Sequence, residues 1–285
     1  MESKAIDPVE FRDTQREQWD VAAPGWKKWS GWLDEGAGPI SERLVELAGV
    51  EPGSSVLDVA AGYGEPALTA ARKAGSSGRV VATDISAEML AYGRERAADA
   101  GFDTVEFMQA DASALDFPAE SFDAALSRWG IIFEPDGEGA AAQIRGFLKP
   151  GAKMAISSWG TPEQVPMIAR PMKTVTELLD VPPPPPGTPG PLSRPTPEAI
   201  GGLLQGGGFS DVQVEDRDII MDWTSAEEFT VYVKDIVAPV RRMVDAQPQD
   251  IQEKAWKAIA DDIRSEADDD GLRLTNRVLL AVGQA

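Results

Sequence analysis

The stretch Ser55–Leu68 constrains this chain more than any other, because it joins a short apolar run to a glycine turn and then to a helical pattern. Apolar residues on both sides of Asp58 predict a buried parallel strand. Gly62 and Gly64 follow, and glycines let a backbone approach a ligand closely. Pro66 suits the first turn of a helix, where no intrahelical N–H bond is lost. This order of strand, turn and helix predicts a nucleotide pocket with free N–H groups at the start of the helix.

Similar units follow along the chain. Strands are predicted at 55–59, 79–84, 105–110, 122–127 and 152–158, with helices at 65–75, 86–100 and 138–148 between them. Ser86 is the expected N-cap of the second of these helices, with Met89 at its third position. Two later strands, 211–221 and 273–283, should pair at one edge of the sheet. The fold class predicted is α/β, a Rossmann-like doubly wound sheet of seven strands, mostly parallel with an antiparallel last strand.

The remaining segments are predicted to be helical and to surround this sheet. Residues 8–33 and 39–49 form two helices, the first interrupted at Pro24-Gly25, and residues 1–50 are interpreted as an N-terminal helical lid. Residues 51–160 form the core, and 161–285 complete it with helical cap insertions at about 163–195 and 224–266. The five-proline run Pro182–Pro186 lies in the first insertion and predicts a surface spacer or flap.

Composition excludes several classes of function. With 27 Lys and Arg against 47 Asp and Glu, the net charge is −20, which argues against a nucleic-acid partner. The chain has no Cys and no His, so thiolate catalysis, disulfides and the commonest general base are absent, and no metal site is expected. No apolar run approaches the length of a membrane span, and the N-terminus lacks a signal-peptide pattern. A cytoplasmic protein, monomeric or homodimeric, without membrane insertion is therefore expected.

The glycine turn by itself leaves the ligand open. Gly62-x-Gly64-x-x-Ala67 satisfies the loose dinucleotide pattern, and Asp84, at the end of the second strand, could bind the ribose of either a nicotinamide cofactor or S-adenosylmethionine. Asp58 and Asp111 close neighbouring strands, and no Lys or Arg occurs between 56 and 71. Acids without a nearby cation favour a ligand with ammonium and sulfonium groups over a pyrophosphate.

Several motifs resemble, as an ordered set, those of class I S-adenosylmethionine-dependent methyltransferases, in the branch of the ubiquinone/menaquinone-type enzymes and their small-molecule relatives. They are Val56–Gly64, Val81–Ser86, Gln109–Ala112, Phe122–Ser127 and Trp19-Asp20-x-x-Ala23-x-x-Trp26, and the resemblance covers roughly residues 15–160. The chain departs from the family at Ala60-Ala61, where alanine is still small enough to keep the turn.

The resemblance implies a role for each matching residue. The methionine end of the cofactor would lie against Asp58, Ala60, Gly62 and Gly64, with Ser127 and Arg128 beside it. Asp84 would hold the ribose, and the adenine would contact Ile85, Met89, Asp111 and Ala112. Arg128 has an alternative, structural role as the ion-pair partner of Asp58 or another acid.

The function predicted is methyl transfer from S-adenosylmethionine to a small apolar or aromatic molecule, by O-, N- or C-methylation, with positioning and desolvation as the main contribution. The candidates for a general base are Tyr63, Glu65, Glu134, Asp136 and Tyr232, none of which stands out, so no catalytic base is identified. Residues predicted to contact the acceptor are Trp26, Trp29, Trp129 and Phe133, although Trp26 and Trp29 could equally be core residues of a helix. Cap residues such as Met167, Met172, Trp223, Phe229 and Tyr232 could complete the chamber or form the core of the cap. The alternatives are a protein that binds S-adenosylmethionine without transfer, either pericyclase-like or regulatory, and a NAD-dependent oxidoreductase.

Overall fold

A computed structural model describes residues 8–182 and 187–285. The first seven residues of the predicted lid and most of the five-proline run, residues 183–186, lie outside the described part. Within that part the helices are α1 (Pro8–Leu47), α2 (Ala67–Ala74), α3 (Ala87–Asp99), α4 (Gly137–Phe147), α5 (Pro166–Leu178), α6 (Pro197–Gly206), α7 (Ala226–Ile236), α8 (Ala238–Asp245) and α9 (Gln249–Ile263). The strands are β1 (Ser55–Val59), β2 (Arg79–Asp84), β3 (Val105–Gln109), β4 (Phe122–Arg128), β5 (Leu148–Trp159), β6 (Ser210–Trp223), β7 (Ala267–Asp268) and β8 (Gly271–Gln284).

The strands form one sheet in the order β3-β2-β1-β4-β5-β8-β6. Strands β1 to β5 pair in parallel, whereas β8 lies antiparallel between β5 and β6. This arrangement confirms the predicted doubly wound, mostly parallel sheet with an antiparallel last strand. The eighth strand, β7, is a two-residue addition that pairs with β8 and was not predicted. Because β1 lies between β2 and β4, the carboxyl ends of these three strands meet at one place.

Both faces of the sheet are buried, and alternate residues of β1 separate them. Val56 belongs to the apolar cluster that includes residues of α1, α2 and the cap helices. Leu57 belongs to the cluster that includes residues of α4 and α6. This alternation follows from the two-residue period of a strand. It also explains why the strands read as nearly continuous apolar runs.

Helix α1 differs from its prediction, because it runs unbroken for 40 residues through Pro24 and Pro39. An interior proline costs a helix about 3 kcal/mol. Burial of a large apolar side chain contributes about 1.5–3 kcal/mol, and α1 buries Trp29, Leu33, Ile40 and Leu44. Packing therefore outweighs the two breaks. Gly25 contributes as well: a Cβ there would stand 2.3 Å from the Asp235 carbonyl oxygen, so only glycine permits this approach to α7.

The long helical segment predicted after the sixth strand is divided into three helices, α7, α8 and α9. Prolines mark both divisions: Pro239 lies in the first turn of α8, and Pro248 precedes α9. Helix α5 packs against α8 and α9. No helix of residues 8–182 and 187–285 is both long and apolar enough to cross a bilayer.

Candidate active site

A cavity of about 940 Å³ opens at the carboxyl ends of β1, β2 and β4, between α1 and the helices of the cap. Seven of the predicted cofactor-binding residues line it: Ala60, Gly62, Asp84, Ile85, Met89, Ala112 and Arg128. The other four, Asp58, Gly64, Asp111 and Ser127, lie outside the wall. Three of the four predicted acceptor residues, Trp26, Trp129 and Phe133, also line the cavity. A single cavity is therefore lined by most of the residues predicted to bind the cofactor and most of those predicted to contact the acceptor.

Asp84 ties the end of β2 to the glycine turn. Its Oδ2 accepts a hydrogen bond of 2.8 Å from the backbone N–H of Gly62, and its Oδ1 accepts one of 2.8 Å from Ser86. Burial raises the pKa of the Asp84 carboxyl to about 6, although the N–H groups of Ser86 and Gly62 oppose this shift. The carboxylate thus holds the turn in place and still faces the cavity. Ser86 is the N-cap of α3 and accepts from the Met89 N–H, as predicted.

Two other residues of the predicted glycine turn, Ala60 and Gly64, allow close packing around the turn. Gly64 has a φ of +103°, and a Cβ added to it would lie 3.5 Å from the Cα of Gly93 in α3. At the neighbouring strand end, a Cβ on Gly130 would lie 2.4 Å from the Cβ of Ala60, which itself has a positive φ of 57°. Small residues at these positions allow β1, β4 and α3 to converge. The wall of the cavity can then be formed by backbone.

Asp58 is fully buried in β1, and neither of its carboxyl oxygens has a hydrogen-bond partner of normal geometry in the described part of the chain. Burial raises the pKa of Asp58 well above its usual range, against the opposing influence of the Ala67 N–H and the Arg128 guanidinium. An unpaired buried carboxyl is costly. It supplies an acceptor or a negative charge directly behind the wall.

Arg128 is buried at the end of β4 and lines the cavity. Its Nη1 donates to Ser41 Oγ at 2.8 Å, and its Nη2 donates to the Tyr63 hydroxyl at 2.8 Å. Among the described residues it forms no ion pair within 4 Å, so the structural alternative of pairing with Asp58 or another acid is not what the geometry shows. A guanidinium held by neutral groups beside a cavity retains its full charge for an anion.

Tyr63 holds this guanidinium in place, a role different from that of a candidate base for which the sequence had named it. The Tyr63 ring lies between two cations, with the guanidinium carbon of Arg96 at 4.6 Å from its centroid and that of Arg128 at 5.5 Å. Its hydroxyl donates to Asp34 Oδ1 at 3.3 Å, and Arg96 also pairs with Asp34. Tyr63 therefore connects the glycine turn to α1 and α3. Only tertiary contacts reveal this role.

Two residues predicted to bind the cofactor form hydrogen bonds to other residues of the protein. Ser127 Oγ donates to the Val59 carbonyl at 2.8 Å and accepts from the Ile131 N–H at 3.0 Å. Asp111 accepts from Arg12 Nη1 at 3.0 Å through Oδ2, and from the N–H and hydroxyl of Ser113 through Oδ1. Ser127 thus shapes the turn after β4, and Asp111 anchors α1. Direct contact of either with a cofactor remains a prediction from the resemblance.

Helix α1 covers the cavity and is attached by polar contacts near its N-terminal end. Asp20 Oδ1 accepts from Ser86 Oγ at 2.5 Å, beside the Arg12–Asp111 ion pair. Gln18 and Trp19 lie on the wall between these two anchors. The aromatic-Asp motif of the sequence therefore fixes α1 to the start of α3.

The part of the cavity predicted to hold the acceptor has an aromatic wall. The rings of Trp129 and Trp159 stack at 4.3 Å with an interplanar angle of 4°, and both line the cavity. Trp129 has a positive φ of 55°, and its indole nitrogen is buried without a hydrogen-bond partner in the described residues. Trp159, at the end of β5, was missed because its partner is distant in sequence.

Other predicted acceptor residues divide between the cavity and the core. Met167, Met172 and Tyr232 line the cavity. Trp29, Trp223 and Phe229 lie outside it, in a buried aromatic cluster with Tyr232. Trp29 donates its indole N–H to Asp235 Oδ2 at 2.9 Å. This hydrogen bond joins α1 to α7.

Glu134 lines the cavity after the turn that follows β4, and the sequence had identified it only as one of five candidates for a base. Its Oε2 is buried without a hydrogen-bond partner in the described residues. Burial raises the pKa of the Glu134 carboxyl to about 7, and Asp111 and Asp136 add to this shift while Arg12 opposes it. The only local sequence signal for Glu134 is its position directly after the apolar run Ile131–Phe133, where an acidic residue is unusual.

These buried carboxyls predict a dependence of stability on pH. A carboxyl whose folded pKa is raised stabilises the protein most at low pH, and that contribution is lost as the pH rises through the folded pKa. With no His in the chain, Asp84 and Glu134 have folded pKa values between pH 5 and 8, and the raised pKa of Asp58 contributes in the same direction. We expect the free energy of unfolding without ligand to fall by at least about 2 kcal/mol over this range. Urea denaturation at both pH values measures it, and Asp84→Asn should make the dependence shallower; equal stability at pH 5 and 8 would contradict the assignment.

Comparison with known proteins becomes informative at this point. The model of the ubiE/COQ5 methyltransferase family matches residues 41–174, just under half of the chain, from the C-terminal end of α1 to α5. The matched region contains the glycine turn, Asp84 and Arg128. This region is similar in sequence to class I S-adenosylmethionine-dependent methyltransferases. The resemblance identified from the motifs is thereby confirmed.

Individual relatives match the methyltransferase domain over a similar range. A ubiquinone/menaquinone biosynthesis C-methyltransferase UbiE of Teredinibacter turnerae is 38% identical over 120 residues, which are 42% of this chain and 48% of that protein. An aklanonic acid methyltransferase DauC of a Streptomyces species is 36% identical over 120 residues, 42% of this chain and 54% of that one. The chain thus spans about half the length of the relatives it matches.

The fold extends beyond the methyltransferase domain identified by sequence. The crystal structure of the [4+2]-cyclase SpnF matches with a TM-score of 0.60 and covers 94% of both chains at 18% identity. At this identity the match shows a shared fold alone. The cap helices are therefore part of an architecture also present in that protein.

Proposed function

We propose that this chain binds S-adenosylmethionine in the cavity and transfers its methyl group to a small apolar or aromatic molecule. The observation that carries the proposal is the position of Arg128, an unpaired buried cation on the cavity wall of a methyltransferase domain. S-adenosylmethionine ends in a carboxylate and an ammonium group. Arg128 would bind the carboxylate, and the unpaired carboxyl of Asp58 would stabilise the ammonium from behind the wall.

The rest of the wall fits the nucleoside. Asp84 has lone pairs remaining after its bonds to Gly62 and Ser86, so its carboxylate can accept the ribose hydroxyls. Ile85, Met89 and Ala112 would enclose the adenine ring with apolar surface. The Gly62 backbone, held by Asp84, would lie against the cofactor without a side chain between them. Ala60 would do the same at the end of β1.

The bound cofactor supplies a methyl group already activated by a sulfonium. The work of the chain is then to position the acceptor and to exclude water. Helix α1 covers the cavity, and its anchors at Asp20 and Arg12 would hold it closed. No catalytic base is assigned, because the cavity carries neither His nor Cys and no carboxyl is placed against an acceptor.

The acceptor wall supports an apolar or aromatic substrate. The stacked rings of Trp129 and Trp159 offer a flat surface on which another ring could stack. Methionines from α5 and β6, Met172 and Met221 among them, adapt to the shape of an apolar ligand. The names of the two relatives, which refer to ubiquinone or menaquinone biosynthesis and to aklanonic acid, point to the same class of molecule.

A second candidate is a protein that binds S-adenosylmethionine without transferring its methyl group. It would use the same cofactor-binding residues, and no catalytic base is assigned in the cavity. The third alternative, a nicotinamide oxidoreductase, rested on the Gly62-x-Gly64-x-x-Ala67 pattern, for which the methyltransferase domain now accounts. A cytoplasmic location, a monomer or homodimer, and the absence of a nucleic-acid partner stay predictions from the sequence.

The two candidates differ in one product. We expect S-adenosylhomocysteine to accumulate when the protein is incubated with S-adenosylmethionine and a library of phenols, quinols, polycyclic ketones and aromatic amines. Mass spectrometry should detect it together with an acceptor heavier by one methylene. Binding of S-adenosylmethionine without product from any acceptor class would favour the second candidate. A Trp129→Leu variant, which removes the stacked wall, should reduce turnover by raising KM for the acceptor.

A further inference from the structure

Helix α8 of the cap brings a cation to the wall of the cavity. Its residues Val240 and Val244, one turn apart, are buried in the apolar cluster of the cap helices. Pro239, Arg242 and Met243 occur at positions i, i+3 and i+4, which share a face of a helix, and all three line the cavity. The burial of the two valines therefore fixes the rotation of α8 with Arg242 on the cavity side.

The guanidinium of Arg242 has no partner in residues 8–182 and 187–285. Its neighbour Arg241 pairs with Asp245 at 3.2 Å, whereas the exposed Arg242 side chain forms neither a hydrogen bond nor an ion pair with any of these residues. In a chain with 47 acidic residues against 27 Lys and Arg, a cation without a carboxylate is unexpected. A guanidinium stays charged and has five N–H donors, so Arg242 keeps its capacity to bind an anion.

The part of the wall around Arg242 is otherwise uncharged. Among the described wall residues that follow β5, Arg242 is the one that carries a charge. Helix α8 packs against α5 and α7, and these helices contribute Met172 and Tyr232, which the sequence had named for the acceptor chamber. A cavity of about 940 Å³ lies near the upper end of the range for small-molecule sites, so it has room for an acceptor beside the cofactor. The cap therefore presents an apolar surface with a single positive charge.

We propose that the methyl acceptor is a carboxylic acid with an apolar or aromatic body, and that Arg242 binds its carboxylate. The inference rests on the proposed methyl transfer and names the class of acceptor. The planar fork of a guanidinium matches a carboxylate through two parallel N–H···O bonds. One guanidinium balances one negative charge, whereas a phosphate would bring a second negative charge to a chain of net charge −20. Arg242 is thus a specificity-determining residue.

A local role for Arg242 makes a different prediction. The residue lies in the last turn of α8, where a cation interacts favourably with the carbonyl end of the helix. That interaction stabilises the helix whether or not a ligand is bound. Its loss would change the stability of the protein and would leave the preference between a charged and a neutral ligand as it is.

The test compares 6-hydroxy-2-naphthoic acid with 6-hydroxy-2-naphthamide, which lacks the charge, by calorimetry at neutral pH with the full chain saturated with S-adenosylhomocysteine. The wild type should bind the acid about tenfold more tightly, the scale of a hydrogen bond to a charged group. Arg242→Met should reduce this preference to about twofold or less and leave the affinity for the amide unchanged. Arg241→Met is the matched control, because it removes the same charge one residue away and outside the cavity wall. It should keep the wild-type preference.

Three results would overturn the inference: equal affinity of the wild type for acid and amide, binding of neither, or a preference that survives in Arg242→Met. A preference lost equally in Arg241→Met would do the same, because it would show a general effect of net charge. Binding of S-adenosylhomocysteine and transfer to neutral acceptors would leave the proposed function standing in each case. If S-adenosylhomocysteine itself does not bind, the proposed function fails and the inference falls with it.

Thermal unfolding of each variant shows whether it is folded. If Arg242→Met unfolds early, Arg242→Gln supplies the same comparison, with the same loss of preference expected.

Discussion

Replacing Arg128 with methionine is expected to weaken the binding of S-adenosylhomocysteine by roughly 30-fold to several thousandfold, the range measured when one partner of a buried charge pair is removed. Arg128 is the cation on the wall beside the predicted methionine end, and among the described residues it forms no ion pair with a carboxylate. The carboxylate of the cofactor would be the first to pair with this guanidinium. Methionine fills much of the same volume, so the loss reports on the charge.

The specificity of this effect can be tested with 5′-methylthioadenosine, which has the same adenine and ribose but lacks the amino-acid end. Arg128→Met should bind this compound as the wild type does, within about threefold. Arg96→Met is a matched control, because Arg96 lies against the same Tyr63 ring but outside the cavity. An equal loss for both ligands, or an equal loss in both variants, would show that Arg128 acts on the structure and not on the carboxylate.

Replacing Asp84 with alanine is expected to weaken the binding of S-adenosylhomocysteine by about 10- to 150-fold, which corresponds to 1.5–3 kcal/mol for hydrogen bonds to a charged group. Two contributions add here. The carboxylate would lose its bonds to the ribose hydroxyls, and the Gly62 N–H would lose the acceptor that fixes the turn. Unlike Arg128→Met, this change should weaken 5′-methylthioadenosine to a similar extent, because both ligands contain the ribose.

Asp123→Ala provides the control for this experiment. Asp123 also accepts a backbone hydrogen bond, from the Ser55 N–H at 2.9 Å, but it lies on β4 away from the cavity. Its loss should leave the affinity for both ligands within about twofold of the wild type. Near wild-type affinity of Asp84→Ala in calorimetry would refute the ribose assignment.

The sheet could be predicted from the sequence because its signals are local. Five apolar runs with turn residues between them identified β1 to β5, and Ser86 marked the start of α3 through a cap that spans three residues. The unbroken course of α1 could not be predicted in the same way. Its prolines are visible in the sequence, whereas the burial of Trp29 and Ile40 that outweighs them comes from β6 and the cap, far along the chain.

The same distinction applies to the site. Asp84 and Arg128 stand at strand ends, and the topology of a parallel sheet was enough to bring them to one cavity. Ser127 and Asp111 were selected by motif position, but their oxygens are used by neighbours that only the folded structure supplies. Glu134 could be named from the sequence only as one of five candidates for a base. Its place on the cavity wall depends on how the turn after β4 meets α1, which no local pattern encodes.

Equilibrium dialysis of the purified chain against radiolabelled S-adenosylmethionine, with NAD in a parallel chamber, tests the central claim most directly. We expect about one equivalent of S-adenosylmethionine to be retained per chain, displaced by unlabelled S-adenosylhomocysteine, and no retention of NAD. The retention should fall sharply in Arg128→Met. Retention of NAD with none of S-adenosylmethionine would contradict the assignment of this cavity to a methyl donor.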